Sequence, residues 1–398
     1  MSVTVVEETF GTRFKEIIEN LKINQNNVAK KAGIDEGLFS RILNKGRESE
    51  FYKIFMAVKY ITDVDKSLNM HELMLLYIKD LKNYENIKDA MEYCDTHLHL
   101  EQLQKLCDYC YEKHNDQNGL KEWADFYSLS IKLKLNKLSV VDWNERIFEL
   151  KPNCNELSVY RALSLYIIEN HNRRFKEIRN SIGVLNEKAD EIKSAYLRFS
   201  YKARIRQYGA LIYLRSGELE KAEEHILELL KSSIGKRFDA FAWGTLAERN
   251  IHDKSKVAIA IKYYEKSIEI YKQLEHNKEV SILVNKIQFV KLIHGIDIPI
   301  EEIKKKQYIA FKHILNGDKK RGLEILNKLD AEEGKSPMRD YIRGRATGDK
   351  RFYWLALLEY MKNNDRLFGY FSMKELLALG ELDLIVKGVY NIHMTESE

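Results

Sequence analysis

The sequence predicts an all-α protein: a short helical module at the N-terminus, then a long array of stacked helix pairs. Three observations lead there. Only 3 prolines occur in 398 residues, and proline breaks helix interiors and sets the turns of β-rich folds. From about residue 70 onward, apolar residues recur at helical spacing with short breaks. Small, aromatic and glycine positions then repeat in similar order along the second half, which is the mark of stacked units. With 44% hydrophobic and 31% charged residues, the chain has the composition of a folded protein with a sizeable core.

The N-terminal elements follow in order. A first helix fits Glu8 to Asn20, with Phe10, Phe14, Ile17, Ile18 and Leu21 on one face. Asn24 caps a second helix, Gln25 to Ala32, since its side-chain oxygen accepts an orphan backbone N–H. Gly33 permits the left-handed exit. Asp35 caps a third helix, Glu36 to Leu43, with Phe39 and Ile42 inward, and Asn44-Lys45-Gly46 closes it. Phe51 to Tyr60 reads as a further amphipathic helix.

The runs Asn24-Gln25-Asn26-Asn27-Val28-Ala29-Lys30-Lys31-Ala32-Gly33-Ile34 and Ser40-Arg41-Ile42-Leu43-Asn44-Lys45-Gly46 resemble the phage-repressor type of helix-turn-helix. That fold lays its third helix in the major groove of DNA. The resemblance makes Glu36, Gly37 and Arg41 the base-reading positions and Gln25 a phosphate contact. Arg41 suits a bidentate bond to guanine, and Glu36 suits a cytosine amine. Lys30, Lys31, Lys45 and Arg47 are placed to hold phosphates and fix register. The acidic start Asp35-Glu36 is unusual beside phosphates.

In the body, Ala210, Tyr213, Gly217, Leu219, Ala222, Ile226 and Leu229 have tetratricopeptide spacing. Small residues let paired helices approach, and bulky ones fill the groove to the next pair. Weaker copies hold Gly244, Ala260, Tyr264 and Ser267; His313, Gly317, Gly322, Leu326 and Leu329; and Gly344, Gly348, Tyr353, Leu357 and Tyr360. The step from Ala222 to Ala260 is longer than that from Gly322 to Tyr353, so the repeats are degenerate. A tetratricopeptide-like right-handed superhelix is the expected architecture. Such a degenerate array suits a binding surface.

Other chemistry finds little support. Cys94, Cys107, Cys110 and His114 carry ligand types that zinc uses, yet the segment is helix-patterned and cysteine is an ordinary core residue. His97 and His99 sit two apart, a spacing at which a single helix would not present both to one ion. No phosphate-cradling Gly-x-x-x-x-Gly-Lys, nucleophile elbow or His-Glu-x-x-His occurs. No enzyme activity and no cofactor is expected. The 4 cysteines read as reduced thiols. Arg173-Arg174, Lys304-Lys305-Lys306 and Lys319-Lys320-Arg321 read as solvated helix faces. The net charge of +5 is too mild to identify a partner. Residues 1–10 lack a signal-peptide pattern, and no apolar run spans a membrane, so a bacterial cytoplasmic location with no membrane partner is expected.

Toward the C-terminus, Lys328-Leu329-Asp330, Tyr341-Ile342-x-Gly344-Arg345, Asn364-Asp365-Arg366 and Leu376-Leu377-Ala378-Leu379-Gly380-Glu381 occur in that order. Together with the helix-turn-helix and the helix pairs, they resemble the arbitrium peptide receptors (AimR) of temperate Bacillus phages. The resemblance implies a homodimer that binds double-stranded operator DNA and controls the lysis–lysogeny choice, turned off by a short re-imported peptide. It also implies that Arg237, Gln307 and Asp365 contact the peptide: Arg237 through its terminal carboxylate, Gln307 through its backbone and Asp365 through a basic side chain. Where the family tends to offer asparagines to the peptide backbone, this chain has Leu211, Arg215 and Glu248.

The family's dimerising end corresponds to Leu376, Leu377, Leu379, Leu382, Leu384, Ile385, Val386 and Val389, a run longer than one surface helix needs. The expected division is a DNA-binding domain at 1–65, a peptide-sensing domain at 66–370 and C-terminal dimerisation helices at 371–398. A quorum-sensing peptide regulator of another system and a helical protein-interaction scaffold share this architecture and remain alternatives.

Overall fold

In the computed structural model, residues 8–112, 119–172, 179 and 181–391 are described; they form α-helices joined by turns, with no strand among them. Two compact units are present. The described residues within Met1–Arg161 and Lys188–Tyr201 form unit 1, and those within Ala162–Glu187 and Lys202–Glu398 form unit 2.

In unit 1 the chain runs through α1 (Phe10–Asn20), α2 (Gln25–Ala32), α3 (Glu36–Lys45), α4 (Phe51–Val64), α5 (Met70–Lys79) and α6 (Tyr84–His97). It continues through α7 (Leu100–Glu112), α8 (Leu120–Lys134), α9 (Val140–Glu149) and the start of α10 (Asn155–Asn172). The end of α11 (Ile182–Asp190) and the start of α12 (Ala195–Arg215) return to it.

The first helix starts two residues later than expected. Thr9 is the N-cap and forms a reciprocal capping box with Thr12, which satisfies backbone donors that would otherwise be orphaned. Helix α2 has the expected bounds, and Gly33 leaves it at φ 66°. Helix α3 runs two residues further, to Lys45, before Gly46 exits at φ 61°. Phe10, Phe14, Val28, Ala29, Phe39, Ile42 and Leu43 are buried together, with Phe14 edge-on to Phe39 at 6.4 Å.

Gly11 sets how closely α1 crosses the end of α3. A Cβ there would lie 2.6 Å from the Leu43 carbonyl oxygen and 2.9 Å from that of Ile42. Those are backbone atoms, so relief requires moving a helix. Gly11→Ala should therefore lower stability by about 1–2 kcal/mol, overpacking outweighing the helix propensity gained. Gly388→Ala, inside α22 with nothing within 4 Å of its added Cβ, is the control and should raise stability by up to about 1 kcal/mol through helix propensity alone. Urea midpoints of the two variants check this; equal midpoints would show that α1 and α3 have room to separate.

Behind this module, Phe51 and Phe55 of α4 pack on Tyr93 of α6 and Tyr196 of α12, with centroids 4.8–6.4 Å apart. Glu48 and Asn86 fix the turn between: the Glu48 carboxylate accepts from the Lys82 N–H at 2.7 Å, and Asn86 accepts from the Phe51 N–H at 3.0 Å. The inner face of α6 carries Asp89, Glu92 and Asp95, all buried. Glu92 accepts from Thr96, Tyr127 and Ser200 at 2.6–2.8 Å. Asp95 accepts from Ser130 and Lys134 at 2.5 Å, and Asp89 from the Ser194 hydroxyl at 2.6 Å. Hydroxyls from α8, α12 and the turn before α12 thus satisfy carboxylates that would otherwise be costly to bury.

In unit 2, the rest of α12 leads to α13 (Leu219–Ser232), α14 (Lys236–Arg249), α15 (Val257–Gln273) and α16 (Asn277–Ile293). Then come α17 (Lys306–Leu315), α18 (Lys319–Glu333), α19 (Pro337–Thr347), α20 (Lys350–Lys362), α21 (Arg366–Ala378) and α22 (Asp383–Asn391). From α13 onward each helix packs on the next, as short turns between helices require. The repeat positions explain the pairing. Ala222, Ile226 and Leu229 are fully buried. A Cβ on Gly322 would lie 2.8 Å from the Ala310 carbonyl oxygen, so α17 and α18 approach as closely as a glycine allows.

The C-terminal apolar run divides between core and surface. Leu376 and Val386 are fully buried inside unit 2, and Leu377 and Val389 pack against the same core. Leu379, Leu382, Leu384 and Ile385 are exposed, by 47, 67, 86 and 50%. Leu376 is therefore a core residue of unit 2 and offers no surface to a partner. No described helix is long and apolar enough to cross a membrane.

Candidate functional site

In unit 1, helix α3 presents Glu36, Gly37, Ser40 and Arg41 on one exposed face. Lys30, Lys31, Lys45 and Arg47 are exposed around it, and Gln25 is half-buried at the start of α2. Asp35 explains part of the acidic start. Its carboxylate accepts from the Leu38 N–H at 2.9 Å as the N-cap of α3, and Glu36 in the first turn opposes the helix dipole favourably. Arg41 donates from Nε to the Gly37 carbonyl at 3.2 Å.

Unit 2 holds a cavity of about 420 Å3, lined in part by Arg215, Asn285, Lys286, Lys305, Gln307, Tyr308, Asp365 and Phe368. Six segments meet there: the end of α12, the middle of α16, the start of α17, the start of α19, the end of α20 and the start of α21. Arg215 is the last residue of α12. Its guanidinium donates to Glu248 at 3.0 Å and to Asp365 at 3.4 Å, and its centre lies 4.9 Å from the Phe368 ring. Lys286 makes a second, short bond to the other Glu248 oxygen. Asp365 is held at the N-cap of α21, and the adjacent Asn364 donates to the Ser216 hydroxyl at 2.9 Å.

The electrostatics favour a fully ionised network. Burial opposes the Arg215 charge, but the Asp365 and Glu248 carboxylates outweigh it and hold the guanidinium above its ordinary value. Burial likewise opposes the Glu248 charge, but Lys286 and Arg215 together hold its carboxyl below the usual range. One acceptor is left over: the buried side-chain oxygen of Asn285 has no hydrogen-bond partner. A cavity with converging buried charges is a place for a polar ligand. The larger groove in unit 1, about 540 Å3, is lined in part by Leu75, Leu76, Leu81 and Leu106, with Glu8, Glu72, Lys79 and Lys105 also on its wall.

The structure brings Arg215, Glu248, Gln307 and Asp365 together but leaves two expected positions aside. Leu211 lies one turn before Arg215 on α12, half-buried, and does not line the cavity. Arg237, on the first turn of α14, does not line the cavity and lies near enough to Tyr271 and His276 for its charge to act on both. Asp365 already has an internal cation in Arg215. Asn285, Lys286 and Phe368 were not anticipated. The usable signal was the polar pair Asn285 and Gln288, one turn apart within the largely apolar stretch 281–290.

Among the described residues, no group of three or more His, Cys, Asp or Glu is set to hold a metal. Cys94, Cys107 and Cys110 are buried thiols, and His114 lies outside the described residues, as do Arg173 and Arg174. His97 ends α6 and His99 follows a left-handed Leu98. They flank a turn instead of sharing a helix, and both rings approach His71, at 4.7 and 5.0 Å between centroids.

The family model described as AimR transcriptional regulator-like matches residues 70–378. An AimR transcriptional regulator of Bacillus phage phi3T is 25% identical over 285 residues, covering 68% of this chain and 72% of that relative. Two solved structures share the fold. Selenomethionine phAimR is 19% identical with a TM-score of 0.66, covering 96% of this chain and 100% of that one. Ligand-bound phAimR is 21% identical with a TM-score of 0.68, covering 81% of this chain and 96% of that one. The helix pairs and a family match over most of the length agree: the chain belongs to the AimR transcriptional regulator-like family.

Proposed function

We propose that this chain is a DNA-binding transcription regulator whose DNA binding is modulated by a short communication peptide, and that it governs a phage lysis–lysogeny decision in the bacterial cytoplasm. Residues 1–65 act as the DNA-binding head, 66–370 as the peptide sensor and 371–398 as the pairing end. The observation that carries the reading is the exposed α3 face of Glu36, Gly37 and Arg41, ringed by Lys30, Lys31, Lys45 and Arg47, in a chain that also holds an open, charged cavity. A helix in the major groove reads bases, and surrounding cations bind phosphates.

Modulation requires a ligand with different affinities for two states. The cavity supports this, since its lining comes from helices far apart in sequence that a ligand can draw together or spread. The exposed Leu379, Leu382, Leu384 and Ile385 support pairing as a homodimer, which would set the spacing of two reading heads.

The test is binding to a duplex selected from a randomised DNA pool. Arg41→Ala should weaken that duplex about tenfold or more while binding to unselected duplex stays within about threefold. Wild-type affinity should fall steeply with salt and shift when a bound hexapeptide is present. A salt-insensitive chain, or one whose affinity no retained peptide alters, would sink the reading.

A further inference from the structure

We infer that Lys15, held by Asn44 at the end of α3, is a further DNA contact: its ammonium grips one phosphate of the duplex and fixes the register of α3 in the groove. The inference rests on the DNA-binding reading above and adds a contact from α1, outside the pair formed by α2 and α3.

Position along α3 comes first. Gly37, Ser40, Arg41 and Asn44 are all exposed, and their spacing puts them on one stripe of the helix. Asn44 lies about 12 Å beyond Glu36 along the axis. A helix that enters the major groove by its N-terminal end reads bases there. The groove is about 12 Å wide, so the last turn of α3 comes to the phosphates that border it. At that turn the Asn44 amide is fixed from two sides. Its Nδ2 donates to the Ser40 carbonyl at 2.9 Å and to the Ser40 hydroxyl at 3.3 Å. Its Oδ1 accepts from Lys15 Nζ at 3.1 Å. Lys15 is half-buried on α1, so its side chain is partly ordered before DNA arrives and loses less freedom on binding. An ammonium has three N–H donors, and Asn44 takes one of them. Charge points the same way. Arg13, also on α1, is neutralised by Glu8 and Glu16. Lys15 has no carboxylate partner among the described residues, and neither have Lys30, Lys31, Lys45 and Arg47. Cations left unneutralised together on one module fit a polyanion.

The experiment uses the full chain and the selected duplex carrying single methylphosphonates, each of which removes one phosphate charge, stepped along both strands. One position should weaken wild type about threefold or more and leave Lys15→Gln unaffected. Lys15→Gln should also weaken the selected and unselected duplexes by the same factor, and reduce the slope of log affinity against log salt by about one. Lys15→Arg, which keeps the charge, should keep the slope. Asn44→Ala should cost less than Lys15→Gln and add little to it in the double variant, since its effect passes through Lys15. Lys66→Gln, whose lysine is paired with Asp63 at 2.5 Å, is the control and should leave affinity unchanged. A slope that Lys15→Gln does not alter, or the absence of any phosphate position that it silences, would overturn this inference and leave the DNA reading standing. A loss confined to the selected duplex would overturn it too, by making Lys15 a base contact. Wild type that binds no duplex would overturn both.

Discussion

Glu248→Ala is expected to destabilise unit 2 by about 3–5 kcal/mol, the usual loss when one partner of a buried ion pair is removed. Glu248 is 4% exposed and holds two cations. The two would respond differently. Lys286 is 31% exposed and its long side chain can turn to water. Arg215 cannot, being pinned between Phe368 and Asp365. Most of the loss therefore falls on Arg215, left with Asp365 alone. Glu248→Gln keeps the shape and one acceptor, so its loss should be smaller. Hydrogen exchange of α14 and α21 reads the effect within unit 2, where whole-chain melting would mix the two units.

The pH dependence has a definite sign. The folded Glu248 carboxyl is held below its ordinary value, so its stabilisation is present above the ordinary carboxylate range and is lost as pH falls through the lowered value. The gap between wild type and Glu248→Ala should therefore narrow in strong acid. Protection unchanged by Glu248→Ala at neutral pH would mean that the Arg215–Glu248–Lys286 chain does not hold these helices together.

Asp89→Asn should act in the opposite direction, raising stability at pH 8 by up to about 4 kcal/mol. Burial first, then the nearby Glu85 and Glu92 carboxylates, pushes the Asp89 carboxyl up to about 7, against the Ser194 hydrogen bond and Lys88, which lower it. Tyr77 of α5 and Tyr196 of α12 face it from neighbouring helices and are neutral at these pH values. Above pH 7 the folded chain carries a desolvated carboxylate that the unfolded chain solvates freely. Between the ordinary value of 3.8 and about 7 the folded state holds a proton that the unfolded state has released, so this group lowers stability as pH rises through that window. Asparagine is neutral throughout and still accepts from Ser194. Urea titrations at pH 8 and pH 5 check the claim. The variant should gain most at pH 8, with the difference shrinking by pH 5. An equal gain at both values, or a loss at pH 8, would show that Asp89 does not titrate in this window.

Several elements were legible because their causes are local. Asn24, Gly33, Asp35 and Gly46 cap or end α2 and α3 as their side chains and backbone preferences dictate. The Ala222, Ile226 and Leu229 spacing places one face of α13 inward whatever it meets. The cavity was legible only in pieces. Arg215, Glu248, Gln307 and Asp365 were marked by resemblance and do converge, but nothing local joins Arg215 to Asp365 across 150 positions. Leu211 and Arg237 were marked in the same way and lie elsewhere.

The clearest case is α6. Asp89, Glu92 and Asp95, three apart, read like a charged stripe facing water, and apolar periodicity alone gives no reason to bury it. The helical class, the helix-turn-helix and the repeat pairing are written locally in the chain, because capping, glycine turns and apolar spacing act within a few residues. Which polar side chains go inside depends on partners brought in by folding. A buried charge is stable when donors reach it, and the donors for α6 come from Tyr127, Ser130, Ser194 and Ser200, on segments that meet it only once the chain has folded.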